Sequence, residues 1–161
     1  MQLLISDANI LIDLEEGGLL EQLFRLAYRF TIPDILFYDE LESQHAHLLE
    51  RGLELGELSP DTMLYAMNLI ARVRGPSRND CFALALAKQE NCPLLSGDEA
   101  LRKAAVREGV EVKGTLWVVE ALVGSNIISL AQAHAAYELM KSNARRLPWT
   151  LAHQRLDELE R

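Results

Sequence analysis

The chain has 161 residues, which is enough for one domain with a substantial core. Its apolar fraction of 49% and charged fraction of 25% are ordinary for a soluble globular protein. No apolar run approaches the ~20 residues that cross a bilayer, and the first residues lack the basic start of a secretory signal. Two cysteines, Cys81 and Cys92, have no metal-type spacing and suit a reducing compartment. We therefore expect a cytoplasmic protein with no membrane partner.

The net charge of −8 is distributed unevenly along the chain. Residues 1–60 carry 12 acidic and 3 basic side chains, whereas residues 61–161 carry 12 acidic and 13 basic ones. Such a protein binds nucleic acid poorly unless local basic groups make the contact. The candidate groups are Arg72, Arg74 and Arg78; Arg102, Lys103 and Arg107; and Arg145 and Arg146. Taken alone, each group is better explained as a solvated helix face.

The first half of the chain alternates between predicted strands and helices. Gln2–Ser6 predicts a buried strand, and the helix that follows should stop at Gly17 and Gly18. The segment "LLEQLFRLAYR" has helical spacing, and "RFTI" predicts a strand ended by Pro33. A helix with Pro33 in its first turn should then run to Gly52.

The second half continues the alternation and then becomes helical throughout. After a weak strand in "LELGEL", Ser59 and Ser77 are predicted caps of two helices, and "PLL" and "VEVKG" are the last strands. Beyond Thr115 the pattern is helical, with breaks at Gly124 and Pro148. Alternating strands and helices predict a mainly parallel sheet covered on both faces. We expect the segment from Thr115 to shield or extend this fold rather than carry chemistry.

Four acidic residues stand out by their positions in these elements. Asp7 and Asp98 each end a strand, Asp80 lies in the first turn of a helix, and Glu40 lies inside the helix after the second strand. In a doubly wound sheet, ligands bind at the carboxyl ends of strands where the winding reverses. Asp7 and Asp98 would meet there if the first and fourth strands are neighbours.

Each of these acids also has an explanation without a ligand. Asp7 and Asp98 could cap the helices that they precede, and Asp80 lies three residues after Ser77, as in a capping box. Glu40 could be solvated, and Glu42 could replace it if the predicted helix register is wrong. In combination, however, clustered carboxylates repel one another and call for a divalent cation, and Mg²⁺ or Mn²⁺ prefers such oxygen ligands.

Three segments resemble the successive motifs of PIN-domain ribonucleases, which include VapC-like toxins and a longer PIN-like group. They are "LLISDANILIDL", "IPDILFYDEL" and "NDCFALALAKQENCPLLSGDEALRKAA", and the match covers residues 2 to about 113. The resemblance implies a three-layer α/β/α fold with a five-stranded parallel sheet in the order 3-2-1-4-5. It implies a nuclease domain over residues 1–124, with a C-terminal helical extension over residues 125–161 packed on it.

The resemblance also implies function. It implies Mg²⁺- or Mn²⁺-dependent hydrolysis of RNA, with Asp7, Glu40, Asp80 and Asp98 as the catalytic and metal-binding set and a 5′-phosphate product. Asn9 and Ser96 match small polar positions that orient carboxylates or a metal-bound water, although both could equally be ordinary turn residues.

The resemblance extends to partners. A cognate antitoxin is one, and a second copy of the chain is another. Apolar residues after Glu40 and Ser59 could form a homodimer or belong to the monomer core: Leu48, Leu49, Met63, Tyr65 and Met67.

Three other functions compete with this reading. A phosphatase with an aspartate nucleophile usually has D-x-D after the first strand, but Asn9 stands at that second position. A nucleotide-binding module would need a glycine-rich phosphate loop, which the first strand lacks. A catalytically silent RNA- or protein-binding scaffold remains the main alternative. The histidines suggest no site, because His45 and His47 are two residues apart and should point to different sides of a helix, and His134 and His153 should be surface residues.

Overall fold

A five-stranded parallel sheet lies at the centre of the computed structural model, which describes residues 1–159. Its strands are β1 (Gln2–Ser6), β2 (Tyr28–Pro33), β3 (Glu54–Gly56), β4 (Leu94–Leu95) and β5 (Val112–Lys113). They pair in the order β3-β2-β1-β4-β5, and helices cover both faces. The predicted fold class and strand order are therefore confirmed.

Eleven helices are described, and a π-helical turn, Phe37–Leu41, joins two of them. They are α1 (Ala8–Glu16), α2 (Leu20–Leu23), α3 (Asp34–Leu36), α4 (Glu42–His45), α5 (His47–Arg51), α6 (Pro60–Arg72), α7 (Arg78–Glu90), α8 (Glu99–Arg107), α9 (Thr115–Gly124), α10 (Leu130–Ser142) and α11 (Trp149–Glu158). Among these helices, none combines the length and the apolar character that crossing a bilayer requires.

The central strand β1 lies between β2 and β4, so the first and fourth strands are neighbours. In its register, Ile5 pairs with Leu94 and Ser6 pairs with Leu95. The backbone N–H of Asp7 continues this ladder by donating to the carbonyl of Leu95 at 3.0 Å. The winding of the sheet reverses between these two strands, which places the residues after Ser6 and Leu95 at the usual ligand-binding edge.

The core of the domain consists almost entirely of apolar side chains. Helix α7 packs against β1, and its residues 81–87 are all buried. A helix that is apolar on every side belongs between other elements, and the alanines at positions 83, 85 and 87 let the backbone of α7 approach its neighbours closely. This packing fixes the helix that carries Asp80 against the strand that ends at Asp7.

The predicted single helix after Pro33 is wrong, because the chain between Asp34 and Arg51 is divided into four pieces. Pro33 is the last residue of β2, the turn Phe37–Leu41 is π-helical, and Ala46 separates α4 from α5. Phe37 and Leu41, the first and last residues of this turn, are both buried in the core.

The predicted helix over "LLEQLFRLAYR" is also shorter than expected. It ends after one turn at Leu23, and Leu26 rather than Ala27 is buried.

The helices after Thr115 pack on the first part of the chain. Helix α10 lies against α1, and a Cβ atom added at Gly17 would come within 2.6 Å of Met140 Cε. Glycine at this position therefore permits the close approach of the two helices. The division at residue 124 stays a prediction, and residues 160–161 of the predicted extension lie outside the described part of the chain.

A buried carboxylate joins three distant segments. Asp13 in α1 accepts a hydrogen bond from the Thr115 hydroxyl at 2.7 Å and pairs with Arg145 Nε at 2.6 Å. Arg145 follows α10, so its side chain ties the C-terminal helices to the first helix. Since Asp13 is 6% exposed, Arg145 also supplies the positive charge that its environment needs.

We expect Arg145→Met to lower the free energy of unfolding by about 2 kcal/mol, because a buried carboxylate then loses its cation. This is less than the roughly 3–5 kcal/mol of a fully buried pair, since Arg145 is partly exposed. Urea denaturation followed by circular dichroism measures the change.

Arg146→Met is the matched control. Arg146 is exposed and forms no ion pair with a described residue, so its loss should leave stability within about 0.5 kcal/mol. Equal stabilities of the two variants would mean that the Asp13–Arg145 pair contributes nothing.

Candidate functional site

Asp7 lies at the carboxyl end of the central strand and begins helix α1. Its side chain accepts a hydrogen bond from the Ile10 N–H at 3.0 Å, so the expected cap is present. The residue is nevertheless 2% exposed. Burial is the main reason that the pKa of Asp7 is raised to about 6, and the charges of Asp80 and Asp13 act in the same direction. Capping alone therefore leaves the negative charge of Asp7 only partly compensated.

Ser96 connects Asp7 to Asp98. Its hydroxyl donates a hydrogen bond to the Asp7 carboxylate, which lowers the pKa of Asp7, and it accepts one from the Asp98 N–H at 3.1 Å. Asp98 in turn caps α8 by accepting from the Leu101 N–H at 2.8 Å. A fully buried hydroxyl thus holds the first and fourth strand ends together.

Asp80 is the third acid at this edge. It forms a capping box with Ser77, in which each side chain accepts from the other residue's backbone N–H at 3.0 Å. Burial is the first cause of its raised pKa, and the nearby charge of Asp98 adds to it. Asp80 therefore interacts electrostatically with both Asp7 and Asp98, which makes the three acids one charged group.

Glu40 lies in the π-helical turn and is connected to this group through Asn79. The Asn79 side-chain amide donates to Glu40 at 2.7 Å and to Asp39 at 2.8 Å. Because Asn79 directly precedes Asp80, it holds the Glu40 carboxylate beside the first turn of α7. The amide reaches Asp39 and Glu40 rather than Glu42. The sequence pattern does not distinguish Asn79, whose contact with Glu40 joins residues 39 positions apart.

A cleft of about 470 Å³ opens beside Asp98. It is lined by Asn9, Gly97 and Asp98 from the sheet edge and by Arg145 and Arg146 from the segment after α10. The Asn9 side-chain oxygen accepts from Arg145 at 3.2 Å, so Asn9 contacts a cationic side chain instead of an acidic one. The segment after Thr115 therefore borders the candidate site through Arg145 and Arg146, one of the basic groups considered above as a nucleic-acid contact.

The four acids are neighbours without forming a tight cluster. No three of them bring carboxylate oxygens within 4.8 Å of one another. Each carboxylate accepts a hydrogen bond from a different residue: Asp7 from Ile10, Glu40 from Asn79, Asp80 from Ser77 and Asp98 from Leu101. The carboxylate oxygens of these four acids are the ligands that a hard divalent cation prefers, and the protein compensates their negative charge only in part. Asp98 and Glu40 are exposed enough to reorient toward such an ion.

The expectation that His45 and His47 point apart is wrong. Ala46 interrupts the helix between them, and both rings contact the carboxylate of Glu15, at 2.7 Å and 2.5 Å respectively. His134 and His153 are also not simple surface residues, since their rings stack with centroids 4.9 Å apart. A rule based on one continuous helix cannot anticipate either contact.

Comparisons with known proteins give the family. Residues 3–161 match the model of a family described as DUF3368: PIN domain. A PilT N-terminus domain protein, SSO1118, from the hyperthermophilic archaeon Sulfolobus solfataricus P2 has a similar structure, with a TM-score of 0.50 and 19% identity over 78% of this chain and 93% of that one. At that identity the likeness concerns the fold alone. No curated protein matches significantly. The chain therefore belongs to the PIN-domain family, whose members are generally nucleases.

Proposed function

We propose that the protein is a metal-dependent ribonuclease that hydrolyses RNA phosphodiester bonds. Asp7, Glu40, Asp80 and Asp98 would hold Mg²⁺ or Mn²⁺, the ions that PIN domains typically use. The observation that carries the proposal is the buried Asp7 carboxylate, which is linked through Ser96 to Asp98 and feels the charge of Asp80. Carboxylates whose pKa values are raised by burial and by neighbouring charge cluster at functional sites.

The electrostatics favour a cation at this edge of the sheet. Burial and neighbouring charges raise the pKa of both Asp7 and Asp80, so the ionised forms are disfavoured until positive charge arrives. When bound, a divalent ion supplies charge stabilisation at the scissile phosphate and a more acidic bound water.

The chain itself orients and positions the reacting groups. Ser96 fixes the direction of the Asp7 carboxylate, and Asn79 holds Glu40 beside α7. Arg146 is exposed in the cleft next to Asp98, where its guanidinium can contact an RNA phosphate. The side chain of Arg145 is already paired with Asp13, so its charge serves the fold.

Two finer features belong to this proposal. The protein could be the toxin of a toxin–antitoxin pair, in which a cognate antitoxin would block access to the cleft. It could also act as a homodimer: Leu49 and Met67 are exposed, whereas Leu48 is buried in the monomer and Met63 and Tyr65 pack against its core. Co-purification of a small partner encoded next to this chain, and the mass of the protein in solution, test these two features.

Metal binding is the first test. We expect Mg²⁺ or Mn²⁺ at about ten times its Kd to add about 1.4 kcal/mol of stability, seen as a higher melting temperature. Asp7→Asn should reduce that gain. The metal-free variant should be more stable than the metal-free wild type by about 1–3 kcal/mol, because Asn keeps the cap and removes a buried charge.

Asp61→Asn changes an exposed acid in the first turn of α6 and should keep the full metal response. Melting curves of the wild-type protein that do not change with metal would exclude the cation site.

Cleavage is the second test. We expect the wild-type protein to cut single-stranded or structured RNA only with a divalent metal, leaving 5′-phosphate ends. Asp98→Asn should slow cleavage by about 10²-fold or more, because a lost carboxylate weakens charge stabilisation at the phosphate. The neighbouring Glu99→Gln should cut normally, since Glu99 faces solvent and Lys103 is its one ion-pair partner among residues 1–159. Equal cleavage rates for the wild type and for Asp98→Asn would indicate a contaminating nuclease. Metal binding without any cleavage would favour the alternative function, a catalytically silent RNA- or protein-binding scaffold.

The third test concerns RNA binding by Arg146. We expect Arg146→Gln to raise KM about 3–10-fold and to reduce the salt dependence of binding by about 0.7 in slope, the value of one phosphate contact on a single strand. The turnover number should change little. Arg25→Gln serves as the control. It removes the same charge close to the amino-terminal end of β2, whereas the candidate site lies at the carboxyl ends of the strands. A KM unaffected by Arg146→Gln would place the RNA elsewhere.

A further inference from the structure

A second group of potential metal ligands lies away from the four acids. Glu15, His45 and His47 bring one donor atom each within 4.8 Å of one another, and theirs is the only such group of three among the described residues. His45 Nδ1 lies 2.7 Å from one carboxylate oxygen of Glu15, and His47 Nε2 lies 2.5 Å from the other. The three side chains therefore converge on one point.

The three residues come from three different helices. Glu15 is in the last turn of α1, His45 is the last residue of α4, and His47 is the first residue of α5. On one continuous helix, residues two apart point in different directions. The regular helical hydrogen bonding is interrupted at Ala46, although its backbone angles stay right-handed helical (φ −59°, ψ −27°), and both rings reach the Glu15 carboxylate.

We propose that Glu15, His45 and His47 bind a transition-metal ion of the Zn²⁺ class. Two imidazole nitrogens and one carboxylate oxygen form a ligand set that Zn²⁺ uses, with water in a fourth position. Imidazole suits Zn²⁺, whereas Mg²⁺ prefers oxygen ligands. The set therefore selects a different ion from the one that suits the four acids.

The surroundings leave room for a water ligand. The carboxylate of Glu15 and the ring of His47 line a shallow cleft that also contains Gln22. The Oε1 atom of Gln22 is buried and has no hydrogen-bond partner among the described residues.

This site is separate from the candidate active site. Asp7 and Glu15 lie at opposite ends of α1, about 12 Å apart along the helix axis. An ion at Glu15 would fasten α1 to the helices that follow the π turn, and so to the segment that carries Glu40. Its role would be to fix the position of that segment rather than to take part in cleavage.

Zinc binding by the full-length chain tests the proposal. In a background with Asp7→Asn and Asp98→Asn, which weakens binding at the acidic edge, isothermal titration should show one Zn²⁺ per chain. Co²⁺ should give the visible absorption of a site with imidazole ligands. His47→Gln and, separately, Glu15→Gln should each weaken Zn²⁺ binding at least tenfold. Both residues are partly exposed, and circular dichroism verifies that the variants fold.

His134→Gln is the matched control, because His134 belongs to the other histidine pair and lies in α10. It should leave Zn²⁺ affinity unchanged. The proposal is overturned if Zn²⁺ does not bind, if His47→Gln binds as tightly as its background, or if His134→Gln is the change that abolishes binding. In the last two cases Glu15 is simply the acceptor of two histidine hydrogen bonds.

Discussion

Asp7 places a carboxylate where water is almost absent, at the end of the central strand. Neighbouring groups offset only part of the free-energy cost of burying the charged form of Asp7. The Ile10 N–H and the Ser96 hydroxyl donate hydrogen bonds, while Asp80 and Asp13 bring further negative charge. The same residue begins α1 and continues the β1–β4 ladder, so it cannot move away without disturbing both. Two things would neutralise the remaining charge: protonation of Asp7, whose pKa is raised to about 6, or the divalent cation proposed above.

The elements that the sequence predicts correctly are those marked by neighbouring residues in the chain. A capping residue before each of α1, α6, α7, α8 and α10 marked where these helices begin, and short apolar runs marked the strands. The neighbourhood of β1 and β4, and hence of Asp7 and Asp98, followed from the family's strand order. The caps and strands depend on residues within a few positions of one another, which is the range of local patterns, whereas the pairing of β1 with β4 came from the resemblance.

The features that were missed depend on contacts between distant segments. Nothing near Asn79 indicates that its amide reaches Glu40 across 39 positions, or that Arg145 pairs with Asp13 across 132. The sequence likewise does not predict which of two adjacent arginines has which role. Arg145 pairs with the buried Asp13, whereas Arg146 is exposed in the cleft. The interruption of the helix at Ala46 has no proline or glycine to mark it in the sequence.

The π-helical turn has a consequence for the length of the segment that contains it. A π turn holds one residue more than the α-helical turn that it replaces, and each residue in a helix rotates the side chains by about 100°. Deleting one residue between Phe37 and Leu41 would therefore convert the π turn into an α-helical turn and leave the helices downstream in their orientation. Deleting one residue from α3, which has no extra residue to lose, would instead turn everything downstream by that angle relative to β2. The acid at position 40 and the histidines at 45 and 47 would then lose their alignment together, although none of them had been altered.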